Sequence, residues 1–164
     1  MAADARLQIL ELLHDNARYS SSQIATMLGL TEAEVVTTIA ELESSGVIRK
    51  FTTLINWEKV GDTGVEAVIE VHVQPQRGVG FDGIAERIYR YPEVRSCYLM
   101  SGTYDLSVLV TGKDLKEVAR FVAEKLAVID GVSGTTTHFV LKSYKLDGVI
   151  MTEPNGDERL AVTP

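Results

Sequence analysis

Three groups of residues carry side chains with chemistry to offer. The first is the run Gly102-Thr103-Tyr104-Asp105 together with Thr135 and Thr137. A glycine permits close backbone approach, a carboxylate accepts from an α-ammonium, and threonine hydroxyls donate or accept toward a carboxylate or a side chain. This is recognition chemistry, with no nucleophile set beside a base. Asp105 has a second use open to it, the ordinary one of a turn aspartate that bonds nearby backbone amides. The second group is Arg18, Ser21, Thr37, Thr38, Arg49 and Lys50, cations and hydroxyls of the kind that contact phosphates and base edges. The third is negative. His14, His72, His138 and the lone Cys97 fall on separate stretches without metal-ligand spacing, so no metal is expected. Cys97 sits in an apolar run and reads as a small buried hydrophobe. Gln76 to Asp82 contains Gly-x-Gly but lacks the third glycine and the Lys-Ser/Thr of a phosphate loop, so it reads as a connection. No acid, base and nucleophile converge, and neither catalysis nor a cofactor is expected.

Periodicity predicts the helices and strands on which these groups sit. Leu7, Ile9, Leu10, Leu12 and Leu13 recur at helical spacing behind Asp4, which predicts a helix over residues 4–14. Ser20 to Ser22 offer an N-cap for a short second helix with Ile24, Ala25 and Leu28, ended by Gly29. Thr31 and Glu34 form a capping box that opens a third helix carrying Val35, Ile39 and Leu42, closed near Gly46. The β-branched run Val47 to Ile55 predicts a strand or wing. Two helices joined by the turn Leu28-Gly29-Leu30-Thr31 have the spacing of a helix-turn-helix, and equally that of a plain three-helix bundle.

Further along, Val65, Ala67, Ile69, Val71 and Val73 alternate with a more polar set, the period of a strand buried on one face. A helix with Phe81, Ile84 and Ile88 stops at Tyr91-Pro92, and strands are expected over Val94 to Met100 and Leu106 to Thr111. A helix with Leu115, Val118, Val122 and Leu126 precedes a last strand from Val132 to Tyr144. The order βαββαβ predicts a ferredoxin-like domain, four antiparallel strands with both helices on one face. Its other face would present Tyr98 or Leu99, Leu109, and Phe139 or Val140, depending on register, and such a face is usually an interface. The tail reads as a hairpin with Asn155-Gly156 at its turn. The fold class is therefore α+β. A winged helix-turn-helix occupies 1–60, a ferredoxin-like βαββαβ domain 61–145 and a C-terminal hairpin 146–164.

The runs Ile9-Leu10, Asn16 to Ser20, Ile24-Ala25, Gly29-Leu30-Thr31, Val35, Ile39, Leu42-Glu43 and Gly46-Val47-Ile48 resemble the N-terminal half of Lrp/AsnC transcriptional regulators. The Gly102-Thr103-Tyr104-Asp105 turn and the threonines of 135–137 resemble the Gly-x-x-Asp turn and Thr-x-Thr pair of that family's C-terminal RAM domain. The resemblance covers about residues 4 to 144. It implies double-stranded DNA as a partner, reached through Arg18, Ser21, Thr37, Thr38, Arg49 and Lys50. It also implies a small amino-acid-like effector near Gly102, Thr103, Tyr104, Asp105, Thr135 and Thr137, and homodimers that assemble to octamers or similar.

Composition bounds these expectations. Hydrophobic residues make up 45% of 164 with only 4 prolines, which argues for ordered structure. No stretch approaches the ~20 apolar residues of a membrane span, and the first residues do not read as a signal peptide, so a cytoplasmic chain is expected. Net charge is −7, and no Lys or Arg lies between Arg18 and Arg49, whereas the third helix carries Glu32, Glu34, Glu41 and Glu43. Phosphates would be repelled by those carboxylates. The alternative to a regulator is therefore a ligand-binding assembly module of the same fold with weak or lost specific DNA binding.

Overall fold

The structure, a computed structural model, describes residues 2–61, 64–74 and 80–152. The chain divides into two compact units, Met1–Ile55 and Asn56–Pro164.

In the first unit α1 (Ala2–Asp15), α2 (Ser21–Leu28) and α3 (Glu32–Ser44) enclose Ile9, Leu13, Ile24, Ala25 and Val35. Local chemistry sets the boundaries. The Ser20 hydroxyl accepts from the Gln23 amide while the Gln23 side chain accepts from Ser20 N, and Thr31 and Glu34 repeat the arrangement for α3. Each box satisfies donors at a helix start that have no partner inside the helix. Gly29 ends α2 with φ 68°, a left-handed conformation that suits glycine. The strand expected over Val47 to Ile55 does not form. Residues 49–56 carry no regular structure, since a β-branched run needs a neighbouring strand to complete its hydrogen-bond ladder and none lies beside it among the described residues.

The second unit opens with the short helix α4 (Trp57–Val60) and then builds an antiparallel sheet in the order β2-β3-β1-β4 from β1 (Val65–Val73), β2 (Val94–Leu99), β3 (Leu106–Gly112) and β4 (Val132–Phe139). Helices α5 (Gly80–Tyr89) and α6 (Leu115–Phe121) cover one face, and α6 continues into a π-helical turn, Val122–Leu126. The alternation of β1 drives this arrangement. Ala67, Ile69 and Val71 are fully buried and pack with Val108, Ile84, Ile88, Val118, Phe121 and Leu126. β4 ends at Phe139 rather than Tyr144, because Val140 N donates to Glu66 O and β1 begins at Val65, leaving no ladder to extend.

Register settles which apolar residues face away from the helices. Tyr98 lies opposite Ser107, Leu109 opposite Val68, and Phe139 opposite Ala67. The open face thus carries Tyr98, Leu109 and Val140, and Phe139 belongs to the covered side. A short hairpin of β5 (Lys145–Leu146) and β6 (Val149–Ile150) follows, turning at Asp147 and Gly148 with φ 44° and 83°. Two successive positive φ angles are the signature of a type I′ turn, which Asp-Gly favours. The tail hairpin expected around Asn155-Gly156 lies outside the described residues, as does most of the Gln76–Asp82 connection.

Candidate effector site and nucleic-acid interface

The turn that joins β2 to β3 is fixed by three bonds around one carboxylate residue. Met100 N donates to Asp105 O at 2.8 Å, Asp105 N donates to Val71 O at 3.1 Å, and Asp105 Oδ2 accepts from Val73 N at 2.7 Å. The half-buried side chain of Asp105 thus performs the turn chemistry expected as its ordinary role, with an amide 32 residues away rather than a local one. Its other oxygen, Oδ1, accepts no hydrogen bond from the described residues. Gly102 is exposed, and a Cβ placed on it would meet nothing within 4 Å, so an open space borders the turn. Thr103 is exposed and Tyr104 half-buried.

Thr135 pairs with Val71 and Thr137 with Ile69, on the strand that flanks β1 on the side away from β3. Asp105 and Thr135 therefore bracket Val71, roughly 10 Å apart by two inter-strand spacings, and Thr137 lies one pleat repeat farther along. A bulge decides which way the threonines point. Val132 pairs with Val73 and Gly134 with His72, so Ser133 is the extra residue, and its hydroxyl donates to His72 O at 3.2 Å. The inserted residue resets the alternation and turns Thr135 and Thr137 toward the helix-covered face. Thr136 and His138 are turned to the open face, where His138 Nε2 stands 3.3 Å from Glu70 Oε1. His138 is accordingly on the opposite face from Thr137.

The first unit holds the other set. Arg18 is exposed in the α1–α2 turn, where its backbone N donates to Asn16 Oδ1 at 3.0 Å. Ser21 is the first residue of α2 and half-buried. On α3, Thr37 is exposed and Thr38 half-buried, and Arg49 and Lys50 are exposed beyond its end. The Arg49 guanidinium lies over Gly46, where a Cβ would meet its Cζ at 3.4 Å. Two of the four α3 carboxylates are engaged. Glu34 accepts from Thr31 N at 2.8 Å and from the Thr31 hydroxyl at 2.7 Å, bonds that hold its carboxyl below the usual range, and Glu41 pairs with Arg6 at 3.4 Å.

Both surfaces match known proteins. Residues 66–150 match the Lrp/AsnC ligand binding domain, and residues 3–49 match a winged helix-turn-helix DNA-binding domain. The chain is 51% identical over 158 residues to the HTH-type transcriptional regulator YugG of Bacillus subtilis, covering 96% of this chain and 95% of that one. This chain belongs to the Lrp/AsnC family of transcriptional regulators. Among solved structures it is similar to the transcriptional regulator NMB0573/L-Met complex from Neisseria meningitidis, with 25% identity, a TM-score of 0.70, and coverage of 87% of this chain and 91% of that one. It shares its fold with the feast or famine regulatory protein of M. tuberculosis complexed with L-methionine, at 23% identity and a TM-score of 0.72, covering 91% and 98%. No helix among the described residues is long and apolar enough to cross a membrane.

Some features of the Lrp/AsnC chain have no forewarning in the sequence. Lys125 Nζ pairs with Glu93 and lies 5.3 Å from the centre of the Tyr91 ring, which meets Phe121 edge-on at 5.6 Å. The bond from Lys125 holds the Glu93 carboxyl below its usual range. Asn56 serves two segments at once. Its Oδ1 accepts from Lys59 N at 3.3 Å to cap α4, and its Nδ2 donates to Met151 O at 3.0 Å. Cys97 faces Val108 on the covered side, and burial pushes its thiol up, so it stays a protonated, unreactive group.

Proposed function

We propose that this regulator senses an amino-acid-like effector in its C-terminal domain and transmits occupancy to DNA-binding heads in a homo-oligomer. The effector would be held by Gly102, Thr103, Tyr104, Asp105, Thr135 and Thr137, and double-stranded DNA by Arg18, Ser21, Thr37, Thr38, Arg49 and Lys50. The observation that carries this reading is the division of labour at Asp105. One carboxylate oxygen is spent on the Val73 amide, which fixes the turn, while the other is left for a donor beside the uncrowded Gly102. An α-ammonium suits that acceptor, and the hydroxyls of Thr135 and Thr137 suit the rest of a zwitterion. The L-methionine complex of a protein with this fold supports the ligand class.

Dimers would form through the open sheet face with Tyr98, Leu109 and Val140, and dimers would gather into octamers or similar assemblies. An effector at the contact between dimers then couples two distinct sites. No catalytic step is assigned to the chain, and its place is the cytoplasm. The test is a panel of amino acids, L-methionine first, against the full-length protein by calorimetric titration and thermal melting. A ligand at a hundred times its dissociation constant adds about 2.7 kcal/mol of stability to the state that binds it. Absence of any melting shift or heat across the panel would overturn the effector class.

A further inference from the structure

The face that α3 turns outward has no cation and no amide on it. Val35 and Leu42, at 0% and 2% exposure, mark the buried side of the helix. At 3.6 residues per turn, positions 33, 37, 40 and 44 lie on the side away from it, and position 36 borders them next to Glu43. These are Ala33, Thr37, Ala40 and Ser44, all exposed, with Val36 at their edge and half accessible at 50%. The carboxylates stand on the two flanks, Glu34 and Glu41 on one side and Glu32 and Glu43 on the other, and the first two are occupied by Thr31 and Arg6.

In a helix-turn-helix the second helix enters the major groove, and in this family member that helix is α3. Guanine is read by Arg or Lys and adenine by Asn or Gln, and the outward face of α3 has none of the four. What it does have is methyl groups, and thymine is the base that shows a methyl in the major groove. We propose that Val36 and Thr37 are the specificity-determining residues of this regulator and that they read thymine 5-methyl groups. The base pairs under α3 are then A·T-rich, with Ala33 and Ala40 short enough to let the helix settle against the groove floor. This inference rests on the DNA-binding function of the family and adds what the helix reads.

The experiment uses full-length protein and a duplex selected by that protein from a randomised pool at low salt. Each thymine is then replaced singly by deoxyuridine, which removes the 5-methyl group and keeps every hydrogen-bonding edge. Affinity is expected to fall about fourfold per contacted methyl, the transfer free energy of one such group, at two or three positions in each half-site. In Val36→Ala, an exposed change that leaves the core intact, the penalty at the position under Val36 shrinks toward none. Thymine-to-uracil duplexes bound as tightly as the parent would overturn the proposal, as would selected sites rich in G·C under the helix. A pool that returns no enriched sequence fails differently, by removing the DNA-binding function itself.

Discussion

Replacing Asp105 in two ways separates its two jobs. In Asp105→Ala the Val73 amide loses a charged acceptor at 2.7 Å in a half-buried position. Hydrogen bonds to charged groups contribute about 1.5–3 kcal/mol, and in this part-buried position water reaches the freed amide, so Asp105→Ala should lose about 1.5–3 kcal/mol of stability. In Asp105→Asn the amide oxygen can still accept from Val73 N, and the loss should be about 1 kcal/mol or less. For an α-ammonium the order changes. Both variants lack the negative charge, so both should bind the effector at least about tenfold more weakly, equivalent to about 1.4 kcal/mol. Urea denaturation at constant slope reads the first quantity, and calorimetric titration reads the second. Two results would overturn these roles for Asp105. Equal destabilisation by Asn and Ala would mean that the Val73 bond is not what Asp105 contributes, and unchanged effector affinity in Asp105→Asn would mean that the second oxygen holds no ammonium.

Other outcomes follow from single contacts. Gly131 has φ +96°, and a Cβ there would stand 2.6 Å from Ile84 Cδ1, so Gly131→Ala combines backbone strain with overpacking and should cost about 2–4 kcal/mol in a thermal melt. Asn56→Ala removes both the α4 cap and the tie to Met151, and should raise hydrogen exchange in residues 145–151 while leaving exchange in β1 unchanged. Because the folded carboxyl of Glu93 lies below its ordinary value of 4.5, its contribution is present above that value and is lost as pH falls through it toward the folded one. Glu93→Gln should therefore flatten the acid limb of a stability-against-pH curve, and an unchanged limb would count against the Lys125 pair.

Features decided by a few neighbouring residues are legible in the sequence. The Thr31/Glu34 box, the Ser20 cap and the Gly29 terminus follow from local chemistry, and the alternation of β1 follows from one buried face. Local signals also mark the Gly102–Asp105 turn. What they cannot supply is partnership. Asp105 bonds an amide on another strand, Asn56 bonds a carbonyl 95 residues away, and a single bulged residue, Ser133, decides which face Thr135 and Thr137 occupy. A register shift of one residue reverses every side chain beyond it, and Gly134 inside the strand marks a bulge without saying which residue is the extra one. Residues 47–55 illustrate the converse, strand propensity without a partner. Asp147-Gly148, set between apolar residues, carries the same kind of hairpin signal as Asn155-Gly156, and turn chemistry alone does not rank one pair above the other.

DNA binding under effector control, despite an acidic third helix, is best decided by gel retardation with full-length protein. The probe is the DNA upstream of the protein's own gene, set against a scrambled fragment of equal composition, across a salt series with and without the amino acid that gives the largest melting shift. The upstream fragment is expected to be retained over the scrambled one, with an affinity that is modest at low salt and falls with a shallow slope because few cations meet the phosphates, and that shifts when the amino acid is added. Equal retention of both fragments, or none at the lowest salt, with no response to the amino acid, would rule out effector-controlled DNA binding.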